Sequence, residues 1–419
     1  MKKIFILGIS LLAFFAGVEA SASEPVVKTG IEVLRDSGFE GLVGRKVGLV
    51  TNPSGVDRYL KSTIDILFNA PGVELVALYG PEHGVRGDVY AGGHISDTVD
   101  EATGLPVYSL YGPTRKPTQE MLKGIDVMVY DIQDVGVRSY TYISTLGLVM
   151  EACGEAGIEV MVLDRPNPLG GNKIEGCCVE PGFFSFVSQY KIPYVYGLTV
   201  GEVALMINSE GMNRGQKGDQ QPAKCRLKVI PMEGWTRDMV YEDTGLPWVL
   251  PSPNIPFKET PMYYASAGIC GELYGFLNVG IGYTLPFQIF GATWLDPVRL
   301  KERLESYDLP GISFRTIWFK PFSGSQKGDL VKGLQYFFTD YENARLTDTQ
   351  FYVMQAIAEL YPDKKPFDVI SGYGLFDKVC GTDYVRLEIQ KRYKVSDIIE
   401  YWRKDEDAFR ELSQRYHIY

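Results

Sequence analysis

"VELVALYGPEHGVRGD", residues 73–88, contains the unit from which the first half of this 419-residue chain is built. A run rich in valine and leucine predicts a buried strand, and it ends in a glycine-rich turn that carries Glu82, His83 and Arg86. The chain has only three histidines, and two of them, His83 and His94, fall between residues 78 and 98. The turn therefore marks the end of a predicted strand and is also a candidate functional site.

The same unit, an apolar run followed by a polar turn, recurs along the first half of the chain. The predicted strands are residues 46–50, 73–79, 106–111, 126–131 and 158–164, and helix-like segments cover residues 62–69, 118–123 and 140–156. Alternation of strands and helices predicts an α/β fold with a parallel sheet flanked by helices. The turns after parallel strands emerge at one edge of the sheet, where ligands bind in such folds.

The second half is less regular and predicts a smaller domain. Residues 197–211 have apolar positions at helical spacing behind a capping box, residues 226–232 resemble a strand, and residues 394–416 resemble one long helix. Residues 246–264 are too rich in proline for regular structure. We predict a catalytic α/β domain over residues 23–205 and an auxiliary α/β or α+β domain over residues 206–419.

The first residues have the layout of an export signal. Lys2 and Lys3 precede an apolar run over residues 4–18, and small residues follow at 20–23. The apolar run is too short to favour a transmembrane anchor. We expect cleavage after residue 22 and an exported protein, periplasmic or secreted, with no stable membrane insertion.

Charge and cysteine content exclude some classes of partner. Lysine and arginine number 42 against 52 acidic residues, which gives a net charge of −10 and argues against nucleic acid as a partner. The six cysteines show no metal-ligand spacing. A bridge between Cys177 and Cys178 is conceivable in an oxidising compartment, but buried thiols are the simpler interpretation.

Carboxylates supply the chemistry that this chain offers most readily. Glu82, next to His83 at the end of a buried strand, suits a general acid, because partial burial raises the pKa of a carboxyl group. The candidate partner carboxylates are Asp131, Asp134, Asp164, Glu175 and Glu272. No glycine-rich nucleotide-binding fingerprint and no nucleophile elbow occurs in the sequence.

Arginines lie one loop beyond several predicted strands. Arg86, Arg138 and Arg165 suit recognition of a carboxylate or phosphate on a ligand, and salt bridges to Asp131, Asp134 or Asp164 are an equally good interpretation of each. His83 and His94 with Asp131 and Asp134 could bind a metal ion, although no metal-binding motif supports that alternative.

Several uncommon peptides occur in an order that resembles a known family. These are "GLVTNPSGVD" (48–57), "LYGPEHGVRGD" (78–88), "VYDIQDVGVRSYTYISTL" (129–146) and "VLDRPNPLGG" (162–171) with "EG" at 175–176. Together they resemble the NamZ-type exo-β-N-acetylmuramidases, a bacterial family long known only as a domain of unknown function. The likeness covers most of the mature chain and is strongest over residues 46–176.

The resemblance implies a Rossmann-like domain joined to a smaller auxiliary domain, with the active cleft between them. It also implies an exo-acting glycosidase that removes N-acetylmuramic acid from the non-reducing ends of peptidoglycan fragments. The family's E-H-G motif falls on Glu82 and His83, and its later elements fall on Asp164 to Pro168 and on Glu175.

One segment departs from the family pattern. Many relatives carry a peptide like "EGTNLSVGRGT", whereas this chain has "GELYGFLNVGIGYT" at 271–284, with Glu272 displaced by one position and Ile281 at the usual arginine site. That departure leaves the role of Glu272 open and is compatible with a shifted substrate preference.

The resulting prediction is a glycosidase with Glu82 as general acid and no metal or cofactor. Water, a second carboxylate or the substrate's acetamide could attack the anomeric carbon. The candidate catalytic residues are Glu82, His83, Glu175 and Glu272, and the candidate substrate-binding residues are Asn52, Arg86, Asp131, Asp134, Arg138, Tyr140, Asp164, Arg165 and Asn167. The alternatives are a non-catalytic cell-wall sugar-binding protein and a metal-dependent hydrolase that acts on peptidoglycan.

Overall fold

The computed structural model describes residues 27–87, 98–211, 224–370 and 372–419. The strands within these ranges are β1 (Lys46–Thr51), β2 (Glu74–Gly80), β3 (Thr98–Val99), β4 (Pro106–Ser109), β5 (Val127–Asp131), β6 (Glu159–Leu163), β7 (Arg226–Ile230), β8 (Ile289–Ala292), β9 (Ile312–Phe319) and β10 (Val331–Phe338). The α-helices are α1 (Gly30–Asp36), α2 (Thr63–Phe68), α3 (Tyr142–Ala156), α4 (Val200–Glu210), α5 (Thr260–Gly271), α6 (Pro297–Glu305), α7 (Asp348–Leu360), α8 (Pro366–Val369), α9 (Gly374–Cys380), α10 (Tyr384–Arg392), α11 (Ile399–Arg403) and α12 (Glu406–Ser413).

The first unit is a seven-stranded sheet with helices packed against it. Its order is β3-β4-β2-β1-β5-β6-β7, and every pair is parallel except β3 with β4. All five residues of β5 are buried, as are the last five of β1. Strands covered on both faces need such continuous apolar runs, so the predicted parallel α/β sheet is confirmed.

The helix predicted behind a capping box at Thr199 is present as α4. The Thr199 side chain accepts a hydrogen bond from the Glu202 backbone N–H at 3.2 Å, and the two residues form the predicted capping box at the start of α4. The prediction of a helix over residues 118–123 was wrong, because this stretch forms turns anchored by the buried Leu122.

The long helix predicted over residues 394–416 was also wrong. The chain breaks into α11 and α12, with 3₁₀ turns at Val395–Asp397 and Gln414–Tyr416. Trp402 packs in the core of the second unit, whereas Phe409 packs against the first sheet's core. One straight helix cannot present its apolar face to both cores.

The second unit has an antiparallel sheet of order β8-β10-β9 with helices packed against it. The transition to this unit differs from the predicted boundary at 205/206, which falls inside α4. Strand β7 still belongs to the first sheet, because it pairs with β6 over five residues. The second core begins after the proline-rich segment, at α5.

All six cysteines are buried free thiols, as the simpler interpretation predicted. None of the helices in the described ranges is both long enough and apolar enough to span a bilayer.

Candidate active site

The loops that follow β2, β4 and β5 meet the end of α5 around a cavity of about 630 Å³. Its lining includes Glu82 and His83 from the first loop, Tyr111 and Arg115 from the second, and Ser139 to Tyr142 from the third. The second unit contributes Tyr264, Glu272, Phe287, Leu375 and Lys378. The volume is that of a small-molecule site, at the carboxyl edge of the sheet where such a site is expected.

A tight turn places Glu82 and His83 at the cavity. The Gly84 N–H donates to the Pro81 carbonyl oxygen at 3.0 Å, and His83 has a φ of 76°, in the left-handed region. A Cβ at Gly80 would lie 3.2 Å from the Val85 nitrogen, so a larger residue there would crowd the returning chain. His83 is 6% exposed. Non-glycine residues in this conformation are uncommon and concentrate at functional sites.

The Glu82 carboxylate lies at the positive end of a helix. The Thr141 hydroxyl donates to Glu82 Oε2 at 3.4 Å, and Thr141 is the N-cap of the 15-residue α3. Burial, followed by the nearby Glu82 carboxylate, raises the pKa of the Tyr111 hydroxyl to about 12. The Glu82 carboxylate therefore lies beside the N-terminus of α3 and within reach of the Thr141 hydroxyl.

Glu272 lies at the C-terminal end of a helix, whereas Glu82 lies beside an N-terminal end. It is the C-cap residue of α5, at the negative end of that helix. Burial raises the pKa of Glu272 to about 7. The cavity therefore contains two carboxyl groups in different surroundings: Glu82 lies beside a helix N-terminus, and burial places the pKa of Glu272 near neutral pH. Such a pair can divide acid and base roles between its members.

Tyrosines form much of the remaining polar lining. The rings of Tyr140 and Tyr142 pack edge-on with centroids 4.7 Å apart, and Tyr264 lies 5.8 Å from Tyr140. The Ser139 and Tyr264 hydroxyls are hydrogen-bonded at 2.9 Å. Burial raises the pKa of Tyr140, Tyr142 and Tyr264, so all three keep their protons. The Tyr142 hydroxyl donates to the Pro251 carbonyl oxygen at 2.5 Å, so it can offer a sugar only an acceptor. Sequence reasoning selected Tyr140 only, although Tyr142 stands two residues later in the same peptide.

Comparison with known proteins identifies the family. The model for the N-terminal domain of exo-β-N-acetylmuramidase NamZ matches residues 47–259, and the model for its C-terminal domain matches residues 262–419. The chain belongs to the NamZ family. This assignment confirms the predicted family and the predicted class of enzyme, an exo-β-N-acetylmuramidase.

Individual relatives agree with the NamZ assignment. The chain is 42% identical over 427 residues to the peptidoglycan β-N-acetylmuramidase NamZ of Bacillus subtilis (strain 168), with 100% of each chain covered. Two crystal structures of DUF1343 family proteins from Bacteroides fragilis NCTC 9343 share 52% and 28% identity, with TM-scores of 0.89 and 0.72. Each covers 94% of this chain, and the matches span 100% and 99% of those proteins.

The arginines predicted to bind substrate are mostly engaged in ion pairs. Arg86 forms a bidentate pair with Asp100 at 2.8 and 3.0 Å, and Arg165 Nη2 lies 2.9 Å from Asp131 Oδ2. Thr63 also donates to Asp131. The salt-bridge interpretation therefore holds for Arg86 and Arg165. Neither these two arginines nor Asp131 lines the cavity, so their positions do not support the predicted substrate-binding roles.

Four other predicted binding residues fix loop backbones instead of lining the cavity. Asn52 donates to the Pro251 carbonyl oxygen at 3.0 Å, and Asn167 donates to that of Leu198 at 2.9 Å. Asp134 accepts from the Gly136 N–H at 2.8 Å and from Tyr196, and Asp164 accepts from Thr199, Gly201 and Tyr419 at 2.6–2.7 Å. Burial raises the pKa of both aspartates to about 6. Their polar partners explain their presence at the sheet edge.

Arg138 and Glu175 join the two units. Arg138 is fully buried and donates to Ser188 Oγ and to the carbonyl oxygens of Cys177, Ile192, Val379 and Cys380 at 2.6–3.1 Å. Glu175, 1% exposed, accepts from the Leu346 N–H and from the Thr347 N–H and hydroxyl at 2.9–3.1 Å. Neither residue lines the cavity, so these positions do not support the predicted catalytic role of Glu175 or the predicted ligand-binding role of Arg138.

The metal alternative involved a residue that lies outside the described ranges. His94 falls between residues 88 and 97, as do Asp88 and Asp97. Within the described ranges, no group of three or more histidine, cysteine or acidic side chains is arranged to hold a metal ion.

Proposed function

We propose that this chain hydrolyses the bond between a non-reducing terminal N-acetylmuramic acid and the rest of a peptidoglycan fragment, with Glu272 as general acid and Glu82 as the ionised carboxylate. The observation that carries the assignment is the contrast between the two carboxyl groups in one cavity. Glu272 is desolvated at a helix C-terminus, and Glu82 lies beside a helix N-terminus and the Thr141 hydroxyl.

The proposed reaction needs one protonated carboxyl group and one carboxylate. Protonated Glu272 donates its proton to the glycosidic oxygen as the bond to the anomeric carbon breaks. The carboxylate of Glu82 stabilises the positive charge that develops on the sugar. Water then attacks the anomeric carbon, supplies the new hydroxyl of the released N-acetylmuramic acid and passes its other proton to Glu272, which restores the acid. The cavity's tyrosines bind sugar hydroxyl groups, and His83 holds the Glu82 turn and contributes a second polar group.

This assignment reverses the one expected from the sequence, which gave the acid role to Glu82. The reason is electrostatic. Burial is the cause that raises the pKa of Glu272 to about 7, the range in which a general acid is most effective near neutral pH. The displaced position of Glu272 in the family pattern is compatible with a carboxyl group that still reaches the cavity.

Substrates with a poor and a good leaving group distinguish the acid role of Glu272 from the role of Glu82. Leaving groups such as 4-nitrophenol need little protonation, whereas a sugar leaving group needs an acid. Glu272→Gln should lose roughly 10²–10⁴-fold in kcat on a disaccharide with N-acetylmuramic acid at its non-reducing end, and much less on 4-nitrophenyl β-N-acetylmuramide. Glu82→Gln should be impaired on both. The reverse pattern would return the acid role to Glu82.

The wild-type assay tests the function itself. We expect release of 4-nitrophenol from the β-N-acetylmuramide, unaffected by EDTA. No turnover in a folded protein would favour the sugar-binding alternative, and loss of turnover in EDTA would favour the metal-dependent hydrolase.

Export belongs to the same proposal. The charged start, apolar run and small residues of 1–22 support cleavage of a secretory signal. The mass of the mature protein recovered from the periplasm or medium would test this. A full-length protein retained in the cytoplasm would contradict it.

A further inference from the structure

The substrate class in the proposed function poses an electrostatic problem. N-acetylmuramic acid differs from N-acetylglucosamine by a lactyl ether at O3, which ends in a carboxylate. The chain has a net charge of −10, and its cavity contains Glu82 and Glu272. Binding an additional anion there requires a cation close to the sugar ring. Arg86, Arg138 and Arg165, selected from the sequence for this task, have their guanidinium groups engaged elsewhere.

Arg115 is an exposed arginine in the lining of the cavity. It lies on the loop after β4, next to the Glu82 turn, and its Cζ lies 4.3 Å from the centre of the Phe186 ring. Within the described ranges the contact of its guanidinium is the Phe186 ring, and the ion pairs at this point of the loop are made by the neighbouring Lys116 with Glu151 and Glu155. A guanidinium stacked on a ring by its face keeps the N–H groups at its edge available for a bidentate partner.

The Phe186 platform is held rigidly. Ser185 and Ser188 exchange backbone hydrogen bonds at 3.0 and 3.1 Å, which closes a tight turn with Phe186 near its tip. The Ser144 hydroxyl, on α3, donates to the Phe186 carbonyl oxygen at 2.7 Å. The Phe186 side chain is 8% exposed. A fixed ring under the guanidinium reduces the conformational entropy that Arg115 would lose when it binds a ligand.

We infer that Arg115 determines the preference for N-acetylmuramic acid, by binding the lactyl carboxylate with the free edge of a guanidinium that rests on Phe186. The inference depends on the proposed function and adds the residue that recognises the acidic substituent. Lys378 is the other lysine or arginine in the described lining, and its ammonium cannot form the paired, planar contact with a carboxylate.

The test compares the 4-nitrophenyl β-glycosides of N-acetylmuramic acid, of its lactyl methyl ester and of N-acetylglucosamine. In the wild type, the acid should be the best of the three substrates. Arg115→Gln should lower kcat/KM for the acid roughly 10- to 100-fold, mostly through KM, and leave kcat/KM for the two neutral substrates nearly unchanged. Arg115→Lys should recover part of the preference, and Phe186→Leu should lose part of it.

Arg299→Gln is the matched control. Arg299 also rests on a ring, with its Cζ 5.7 Å from the Tyr361 centroid, but it lies on α6 and away from the cavity lining. All three substrates should keep their wild-type constants in this variant. Competitive inhibition by free N-acetylmuramic acid, compared with N-acetylglucosamine, gives a second readout that does not require turnover of the variant.

Each outcome decides a different point. An unchanged acid-to-ester ratio in Arg115→Gln, or an equal loss on all three substrates, would overturn the inference and leave the proposed function standing. Loss of the ratio in Lys378→Gln instead would assign the lactyl carboxylate to Lys378. A wild type that releases nothing from the acid would contradict the proposed function itself, and the inference with it.

Discussion

At the scale of single residues, Glu272 combines a functional position with an energetic cost. Its carboxyl group is desolvated, and it lies at the C-terminal end of α5, where the helix dipole disfavours a negative charge. Both effects favour the protonated form, which the proposed acid requires. They also make the folded protein less stable whenever the group has to ionise.

The pH dependence of catalysis should report Glu272 directly. With a pKa of about 7, the carboxyl group is protonated below neutral pH and loses its proton above it. On a disaccharide substrate, kcat should therefore fall as the pH rises through 7. The descending limb should be missing from the residual activity of Glu272→Gln. A limb that persists unchanged in this variant would assign the ionisation to another group.

The raised pKa of Glu272 that favours catalysis should lower the stability of the folded protein at neutral and alkaline pH. The folded pKa of about 7 lies above the ordinary value of 4.5, so from pH 4.5 to 7 the unfolded chain loses a proton that the folded chain retains. The free energy of unfolding falls through this window. Glu272→Gln should thus be more stable than wild type by roughly 3 kcal/mol at pH 8, and the difference should vanish below pH 4.5.

Urea unfolding at pH 8 and pH 4 would measure this gain. Glu302→Gln, at an exposed position on α6, is the control and should show no comparable pH-dependent gain. Equal stability of Glu272→Gln and wild type at pH 8 would mean that the Glu272 carboxyl is better solvated than its burial indicates.

Two substitutions at His83 should distinguish its effect on the backbone conformation of the turn from its effect on catalysis. Its φ of 76° is tolerated by asparagine but strains a β-branched residue. His83→Asn should therefore keep the wild-type melting temperature and lose activity, whereas His83→Val should also lose about 1–3 kcal/mol of stability. Full activity in His83→Asn would limit the histidine to shaping the turn.

At the scale of secondary-structure elements, Glu175 shows how a buried carboxylate can hold a helix in place. It accepts hydrogen bonds at the N-terminus of α7, where backbone N–H groups have no partner within the helix. The segment around residue 175 belongs to the first unit and α7 to the second. This pairing explains a family-like "EG" peptide that lies away from the cavity.

Glu175→Ala should therefore behave as a structural variant. Removing the carboxylate leaves buried N–H groups unpaired, at a cost of about 2–3 kcal/mol in the free energy of unfolding. The kcat of the folded fraction should stay within about twofold of wild type, as expected for a residue that does not act on substrate. Glu82→Gln should give the reverse pattern, and a loss of kcat in stable Glu175→Ala would restore a catalytic role.

Strands were easier to predict than helices, for a reason that applies to this fold. Strands such as β5 are buried on both faces, so their sequences are continuous apolar runs that are visible without any tertiary information. Residues 118–123 and 394–416 have helical spacing, but their conformation depends on which core receives Leu122, Trp402 and Phe409. The spacing of apolar residues alone does not show which core each of them packs against.

At the scale of the whole molecule, Arg138 couples the two units. All five N–H groups of its guanidinium have acceptors, and two of these are the Val379 and Cys380 carbonyl oxygens at the end of α9. The cavity lies between the same two units. Its geometry therefore depends on this buried contact, although Arg138 does not line it.

Arg138→Met should destabilise the protein by about 3–5 kcal/mol, because it leaves buried carbonyl groups unpaired on both sides of the junction. Urea unfolding monitored by tryptophan fluorescence would measure the loss. Arg226→Gln, which removes a surface arginine bonded to the Gly157 carbonyl oxygen, is the control and should stay within about 0.5 kcal/mol. A similarly small effect of Arg138→Met would mean that the units hold together without this contact.

The sequence by itself determined the parallel strands of the first sheet, the family and the turn that carries Glu82 and His83, because burial pattern and turn residues are local properties of the chain. The three strands of the second sheet were not predicted. Only the tertiary structure decided which polar residues face the cavity. Asp131, Asp134, Asp164, Arg86 and Arg165 follow the right strands, but their side chains are occupied by hydrogen-bond partners from other parts of the chain. Glu272 and Arg115 gain their proposed roles from the packing around them, since the pKa of a carboxyl group and the availability of a guanidinium depend on neighbours that the sequence does not place.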